Sequence, residues 1–459
     1  MRPGRTSDET IVARATAEGP AAIALIRLSG PLSKPIVVGA LGISADLLEA
    51  RRPHLGTFHD VRDEALDQVL ATWFPEPHSY TGEDVVEISC HGSPFICRSI
   101  IAACLARGAR TAEPGEFTRR AFVRGKLDLV QAEAVRDLVA SQTEYQASLA
   151  RQQLRGRLGR ELGPIRDNLI DILAQLETRL EFVEEDVDPE SREKLVGGIE
   201  RVDEGLRRLS RRYAAARAIR EGAMVVLAGR PNAGKSSIFN GLVNDERAIV
   251  TEIPGTTRDA LREWLDVGGL AVCLVDTAGI GRGGDLLVEE GMKRSKRHIE
   301  EADLVLFVVD SVAGFGTEEE LLLKTIGTKP FVVAMNKMDL AGAPAVPAGV
   351  KQRARDVLEI SAQTGANLEK LVDAVRRSVL GAEGFEKEPA LITNLRQLGC
   401  IEEARGGLAA GRAALQEGLS EEFICYDLRR ALGALGELTG ETTTEDILGR
   451  IFSTFCIGK

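Results

Sequence analysis

Four short stretches of this chain carry side chains whose types and spacing suit phosphate and purine chemistry. The first, "GRPNAGKSS", follows the apolar run "MVVLA" and opens a helical pattern, "SSIFNGLV". Its Gly229, Gly234, Lys235 and Ser236 fit G-x-x-x-x-G-K-S, a loop whose backbone N–H groups wrap phosphate oxygens at a helix N-terminus. Lys235 there neutralises the β- and γ-phosphates, and the Ser236 hydroxyl ligates magnesium. The second, "DTAG", follows the strand-like "AVCLV". Asp276 reaches magnesium through water, and beyond Thr277 and Ala278 the Gly279 N–H reaches a γ-phosphate. The third, "NKMD", runs from Asn336 through Lys337 to Asp339 at the end of "FVVAM". A carboxylate at Asp339 accepts two N–H groups from guanine, where adenine presents an acceptor instead, so the pairing selects GTP. The fourth, "SAQ", is Ser361, Ala362 and Gln363 after "VLEI", and it closes the base pocket. One Gly-rich turn arises by chance; four motifs in this order, each at a strand end, do not.

Between the first two lies "TEIPGTTRD", which supplies Thr251, Glu252, Ile253, Pro254, Gly255, Thr256 and Thr257. Thr256 and Thr257 are placed as in a switch loop, where a Thr hydroxyl completes the magnesium shell only while the γ-phosphate is present. Ser236 and Thr257 are the candidate magnesium ligands. After "DTAG", Ras-like enzymes place a Gln that orients the attacking water. This chain has Ile280, an apolar side chain that cannot orient water, so hydrolysis needs another group.

Strand-like runs separated by helical patterns must position these loops. "MVVLAG", "AVCLVD", "DLVLFVVD" and "PFVVAMN" alternate with helical sequence over 219–381, as βαβ units require. Residues 1–122 also mix strand-like runs ("IVARAT", "AAIALIRLSG", "DVVEISC") with a helical one ("FICRSIIAACLARG"). Residues 123–218 and 382–459 read as helices. Domain termini tend to lie close together, so the simplest architecture is α/β plus all-α: an N-terminal α/β domain, then a discontinuous helical domain interrupted by a P-loop domain.

Composition narrows the class further. The chain has 459 residues, enough for about three domains. Its net charge of −11, from 69 acidic and 58 basic residues, argues against wholesale coating of nucleic acid but permits a local basic patch. No apolar run is long enough to span a membrane, and "MRPGRTSDETIVARAT" lacks a signal-peptide core, so a cytoplasmic protein is expected. Seven cysteines include no C-x-x-C pair; Cys90, Cys97 and Cys104 read as buried thiols. The final "FSTFCIGK" is open to three readings. A frayed end is one, a lipidation box is weakened by Gly458 and Lys459, and a tail folded back into a site is the third.

Taken together, "GRPNAGKSS", "TEIPGTTRD", "DTAG" and the terminal "CIGK" resemble the MnmE (TrmE) family of tRNA-modification GTPases. "YTGEDVVEISCHG" and "PGEFTRRAFVRGKLDLVQAEAV" match its N-terminal parts, so the resemblance covers essentially the whole chain. It implies an N-terminal folate-binding domain that forms a homodimer, and a helical domain interrupted by a Ras-like G domain. It implies a partner protein, MnmG, that uses FAD and NADH and joins this chain in a heterotetramer. Together the two would install an aminomethyl or carboxymethylaminomethyl group at C5 of the tRNA wobble uridine, with 5-formyltetrahydrofolate or a related tetrahydrofolate as one-carbon donor. It implies GTP hydrolysis that needs Mg2+ and K+ and is coupled to G-domain dimerisation. The family's GTP contacts extend over Asn232, Ala233 and Ser237. Its potassium site falls on Asn232, Thr251, Ile253 and Thr256. Its folate contacts fall on Arg27, Glu87, Lys126 and Lys459, and Cys456 would lie near the bound one-carbon carrier.

The chain departs from its family at one place. The family's water-orienting Glu of the second switch falls on Val288 here. Glu289 is one step away and is the expected substitute, with Glu290 and Asp285 behind it; the glycines at 281, 283 and 284 leave room for a register shift. Two arginine clusters, Arg151, Arg155, Arg157 and Arg160, and Arg207 to Arg220, are candidates for tRNA phosphates or for solvated helix faces. The rival readings are a ribosome-assembly GTPase, which shares the G motifs, and a membrane-associated dynamin-like GTPase, which lacks its amphipathic basic helix here.

Overall fold

The structure is a computed structural model and describes residues 9–181, 189–243, 261–276, 296–340, 342, 344–381 and 391–458. The chain divides into two compact units. One holds residues 1–136, 154–160 and 422–459; the other holds 137–153 and 161–421.

The first unit is built on a sheet of β1 (Ile11–Arg14), β2 (Ile23–Ser29), β3 (His54–His59), β4 (Ala65–Phe74), β5 (Val85–His91) and β6 (Arg110–Thr111), in the order β3-β4-β5-β2-β1-β6. Only β1 and β6 pair parallel. β2 and β5 alternate buried and partly exposed residues, the mark of a sheet covered on one face. The covered face meets α1 (Ser33–Leu41) and α2 (Pro94–Ala106) through Ile26, Leu28, Ile88, Val37 and Ile100. Cys90, Cys97 and Cys104 are buried in this core; burial pushes the Cys90 and Cys104 thiols up to about 12. Then come α3 (Glu116–Val123) and α4 (Leu129–Ala140).

The helical sequence does not run unbroken. α4 stops at Ala140, and α5 (Glu144–Leu154) starts after Thr143, whose N–H and the Gln142 N–H both donate to Gln146 Oε1. α6 (Arg157–Glu181) buries Leu158, Leu162, Ile165, Leu169, Ile172 and Leu176 at helical spacing. Ile165 and Ile172 of α6 lie over Gly205 and Gly198 of α7 (Pro189–Ser210). α8 (Tyr213–Glu221) continues through residue 218, and the next strand begins at Ala223.

The second unit carries the other sheet: β7 (Ala223–Gly229), β8 (Leu261–Val267), β9 (Leu270–Asp276), β10 (Leu304–Asp310), β11 (Phe331–Asn336) and β12 (Asp356–Glu359), in the order β12-β11-β10-β7-β9-β8. All its pairings are parallel except β8 with β9. β10 and β11 are buried along nearly their whole length, so both faces are covered. α9 (Lys235–Val243) and α13 (Leu368–Leu380) cover one face. α10 (296–301), α11 (Thr317–Ile326) and α12 (Ala348–Arg353) cover the other. The chain ends in α14 (Leu395–Glu417), α15 (Glu421–Thr439) and α16 (Glu445–Phe452). Asn394 caps α14 by accepting from the Gln397 N–H. Among the described residues no helix is long and apolar enough to cross a membrane.

Candidate functional site

The parallel strands β7, β10, β11 and β12 run the same way, so their carboxyl ends bring the motif loops to one edge of the sheet. The order reverses beside β7, with β9 on one side and β10 on the other. Open α/β sheets bind ligands at such a switch point. Gly229 ends β7 and Lys235 opens α9, so the loop between them sits at a helix N-terminus.

Within that loop Lys235 is 5% exposed, and its Nζ donates to the carbonyls of Gly229 and Arg230, both at 2.8 Å. Burial pushes the Lys235 ammonium down from its ordinary range, and the nearby Asp276 carboxylate opposes that shift. The Ser236 hydroxyl donates to Asp276 Oδ2 at 2.8 Å. The P-loop hydroxyl and the carboxylate at the end of β9 are therefore adjacent, which is the donor set a magnesium ion beside phosphates requires. Asn232 has φ +64° and is exposed.

The base pocket is tied to the P-loop by one buried side chain. Asn336 Nδ2 donates to the Ala233 carbonyl at 3.0 Å, and its Oδ1 accepts from the Ala362 N–H at 3.0 Å. Gly234 leaves room for it: its φ is +94°, and a Cβ there would lie 2.1 Å from Asn336 Nδ2. The Ser361 hydroxyl donates to Asp339 Oδ1 at 2.5 Å, which fixes that carboxylate. Lys337 has φ +67° and pairs with Asp310 at 2.6 Å. Burial works against the Asp310 charge, but Lys337 and the N–H groups of Val312 and Ala313 hold its carboxyl below the usual range. Ser237 and Gln363 are exposed beside these loops. Asp310 and Ser311, which donates to the Lys337 carbonyl at 2.8 Å, were not among the sequence candidates. Their position at the end of "DLVLFVVDS" is the signal that finds them.

The first unit gathers a second set. Arg27 and Glu87 are register partners on β2 and β5. Both occupy the sheet face opposite the core, because each alternates with buried neighbours. Arg27 donates from Nε and Nη2 to Glu87 Oε1 at 2.9 and 2.7 Å. Its guanidinium stacks over Tyr80 and Phe117, with centroids at 5.3 and 5.7 Å. Tyr80 Oη lies 2.9 Å from Thr118 Oγ1. Lys126 donates to the Pro77 carbonyl at 3.0 Å and packs against Gly82, so it grips the same loop that carries Tyr80. Behind that loop lies a buried ionic network that the sequence did not single out. Glu83 accepts from Arg120 at 2.8 Å, from Arg124 at 3.1 Å and from the Ser29 hydroxyl at 2.8 Å. Glu116 accepts from Arg110 and Arg120 at 2.5 and 2.9 Å. Burial raises the Glu116 pKa, but Arg110, the Glu113 N–H and Arg120 outweigh it and hold it at about 2. The i,i+4 spacing of Glu116 and Arg120 is the visible clue.

The C-terminal tail joins this unit. Phe455 is buried against Phe452 and Arg136. The Gly115 N–H donates to the Cys456 carbonyl at 3.4 Å, and the Cys456 side chain is exposed. Gly458, with φ +97°, lies so close to β1 that a Cβ would be 2.2 Å from the Arg14 carbonyl oxygen. Arg14 is next to Ala13, the cross-strand partner of Arg27. Thr251, Glu252, Ile253, Pro254, Gly255, Thr256, Thr257, Thr277, Ala278, Gly279, Glu289 and Lys459 lie outside the described residues.

Comparison with known proteins gives the family. The GTP-binding protein TrmE N-terminus family matches residues 10–126, and the MnmE helical domain family matches residues 129–456. The chain belongs to the MnmE/TrmE family of tRNA modification GTPases. The tRNA modification GTPase MnmE of Koribacter versatilis is 42% identical over 456 residues, which is 98% of this chain and 99% of that protein. The Aquifex aeolicus protein of the same name is 40% identical over 453 residues, 98% of this chain and 100% of that protein. Among solved structures, Aquifex aeolicus Era is 27% identical over 40% of this chain and 66% of its own, with a TM-score of 0.29. MnmE/TrmE membership fixes the class of the enzyme as a tRNA modification GTPase. It accounts for the N-terminal α/β domain, the helical domain and the inserted G domain of the second sheet.

Proposed function

We propose that this chain hydrolyses GTP to drive C5 modification of the tRNA wobble uridine. It adds an aminomethyl or carboxymethylaminomethyl group in company with the FAD- and NADH-using MnmG protein. The observation that carries this reading is the tail: Cys456 is held through its carbonyl by Gly115, and Gly458 packs on β1, in the unit whose sheet carries the Arg27–Glu87 pair. That pair suits a tetrahydrofolate. Both Arg27 bonds go to Glu87 Oε1, so the other carboxylate oxygen is turned to paired pterin N–H donors, beside the rings of Tyr80 and Phe117. Lys126 and Lys459 would meet the acidic tail of the cofactor, and a bound one-carbon carrier would supply the carbon. Cys456, exposed on its anchored backbone, would face that carrier as a nucleophile or redox thiol.

In the G domain, Ser236 and Thr257 would hold magnesium, with Asp276 placed to reach it through water. Asn232, Thr251, Ile253 and Thr256 would hold potassium, whose charge beside the phosphates replaces an arginine finger. Glu289 takes the water-orienting role that Ile280 and Val288 cannot. The reading includes a homodimer, a heterotetramer with MnmG, a cytoplasmic location and functional divisions after residues 122, 218 and 381. Mass spectrometry of tRNA nucleosides from cells lacking this protein tests it. The expected result is loss of the C5-substituted wobble uridine with normal ribosome profiles; an unchanged nucleoside pattern overturns the reading.

A further inference from the structure

The arginines after residue 206 are put to different uses. Arg217 pairs with Asp303 and Arg220 with Asp137, each at 2.7 Å, and these two bind elements of their own unit together. Arg211 and Arg212 do something else. They line an open groove with Arg355 and Arg377, floored by Ala374 and Ser378 of α13. Arg355 also lines a second groove, beside Lys324, Lys329 and Arg353. The two grooves meet at Arg355 and form one cationic track.

The track lies at the end of the sheet away from the GTP loops. Phe331 and Arg355 stand at the starts of β11 and β12, whereas Asn336 and Ser361 stand at or beyond their ends. Acidic side chains offset it only in part. Asp356 pairs with Arg377 at 3.1 Å, and Glu204 lies 3.8 Å from Arg211. Lys324 and Arg355 are exposed and have no ion-pair partner among the described residues. Arg353 donates to the Gly327 carbonyl and lies over the Phe331 ring, and Lys329 donates to the Ala302 carbonyl at 2.9 Å. In a chain of net charge −11, such a concentration of positive charge is a local field of the opposite sign to the whole.

We propose that this track binds the phosphate backbone of tRNA; the proposal rests on the reading that tRNA is the substrate. Five of its cations are arginines, whose planar forks match phosphate oxygens. Leu323 and Phe331 in its lining are buried and Val379 and Leu380 are partly buried, so the face presented is mainly charge, which suits a phosphate backbone better than a bilayer. The track holds tRNA by charge and shape without reading bases. Because it is remote from the P-loop along the strands, tRNA and GTP bind at once.

The test is tRNA binding by Lys324→Ala/Arg355→Ala in the full chain, followed by fluorescence anisotropy of an unmodified transcript through a potassium chloride series. Each lost phosphate contact flattens the plot of log affinity against log salt by about 0.7–0.9. The double variant therefore gives a slope shallower by about 1.4–1.8 and an affinity at least about tenfold weaker at low salt, with basal GTP turnover unchanged. Arg151→Ala/Arg155→Ala, from the other cluster, keeps the parent slope. An unchanged slope and affinity in Lys324→Ala/Arg355→Ala overturns the track, while nucleoside mass spectrometry still decides separately whether tRNA is the substrate. Lost capture of the MnmG protein with tRNA affinity kept makes the track a protein interface and overturns it too.

Discussion

Gly234→Ala probes the joint between the phosphate and base loops. The glycine has φ +94°, and an added Cβ would lie 2.1 Å from Asn336 Nδ2. Asn336 is 2% exposed, and its amide satisfies both the Ala233 carbonyl and the Ala362 N–H. The substitution thus has two costs. Backbone strain at a non-glycine residue in this region is about 1–3 kcal/mol. Displacing the amide leaves buried partners unsatisfied, at about 1–3 kcal/mol. A total loss of roughly 2–6 kcal/mol is expected in nucleotide-free protein, from a typical total of about 5–15. Asn336→Ala alone forfeits the same two bonds and removes the atom that Cβ strikes. The double variant should therefore cost less than the sum of the singles by at least about 1 kcal/mol, in the range seen for contacting residues. Urea unfolding reports it through Trp264 of β8, in the same unit, once Trp73 of the other unit is replaced by Phe. Single costs that add to within about 0.5 kcal/mol refute the contact between Gly234 and Asn336 as the cause.

Asp339→Asn places a donor toward guanine donors; GTP affinity should fall by about 2–4 kcal/mol, roughly 30- to 900-fold, with a gain for xanthosine nucleotides in a fluorescent-nucleotide titration. Gly458→Ala, blocked by the Arg14 carbonyl, should lift the tail from β1, and wobble-uridine modification in cells should then fall while basal GTP turnover stays near normal; removing residues 456–459 should do the same. Glu116→Gln tests the ionic network by pH: the folded carboxyl sits at about 2 against an ordinary 4.5, so its contribution is complete above about 4.5 and fades as pH falls toward 2. The variant should lose about 3 kcal/mol at neutral pH, by ~1.4 kcal/mol per unit, and converge on the parent near pH 2; parallel stability curves for the two across that range would count against the network. Glu289→Ala should cut potassium-stimulated single-turnover hydrolysis at least about tenfold with GTP affinity little changed, and Val288→Ala should do little; a Glu289→Ala rate within about twofold of the parent moves the role to Glu290 or Asp285.

The nucleotide site was legible because its signals are local. Each motif is a few contiguous residues at the end of a strand whose apolar run marks it: β10 and β11 are buried on both faces and read as unbroken hydrophobic stretches. Strands that are half exposed were harder. β3 has a single buried residue, Phe58, and β8 is an antiparallel edge strand with charged residues at Arg262, Glu263 and Asp266, so neither gave a pattern that stood out. The break between α4 and α5 was missed for a related reason. Ser141, Gln142 and Thr143 contain no Gly or Pro, and the turn is made by the Gln146 side chain capping two N–H groups, a local side-chain bond that composition does not carry.

The same distinction separates Arg27 and Glu87 from the tail. Alternation along "IALIRLS" and "VVEISCH" tells which residues share a face, since the side-chain period of a strand is two. It does not give register, and a slip by one residue would turn Glu87 into the core. The observed register pairs Ile26 with Ile88 and Leu28 with Val86, and all four lie in the core with residues of α1 and α2. The tail depends on contacts more distant still. Gly115 meets Cys456, Arg136 donates to Thr454 at 2.8 Å, and Arg119 pairs with Glu445 at 2.6 Å, each across more than 300 residues. Loop closure adds little with each doubling of length, about 0.6 kcal/mol. Burying an aromatic side chain such as Phe455 returns about 1.5–3 kcal/mol, and the Gly115 and Gly458 contacts add to it. The anchor is therefore Phe455, placed immediately before the cysteine: it holds the backbone of Cys456 against Gly115 while leaving the thiol exposed. Burial of Phe455 thus fixes the backbone of the tail without enclosing the cysteine side chain that follows it.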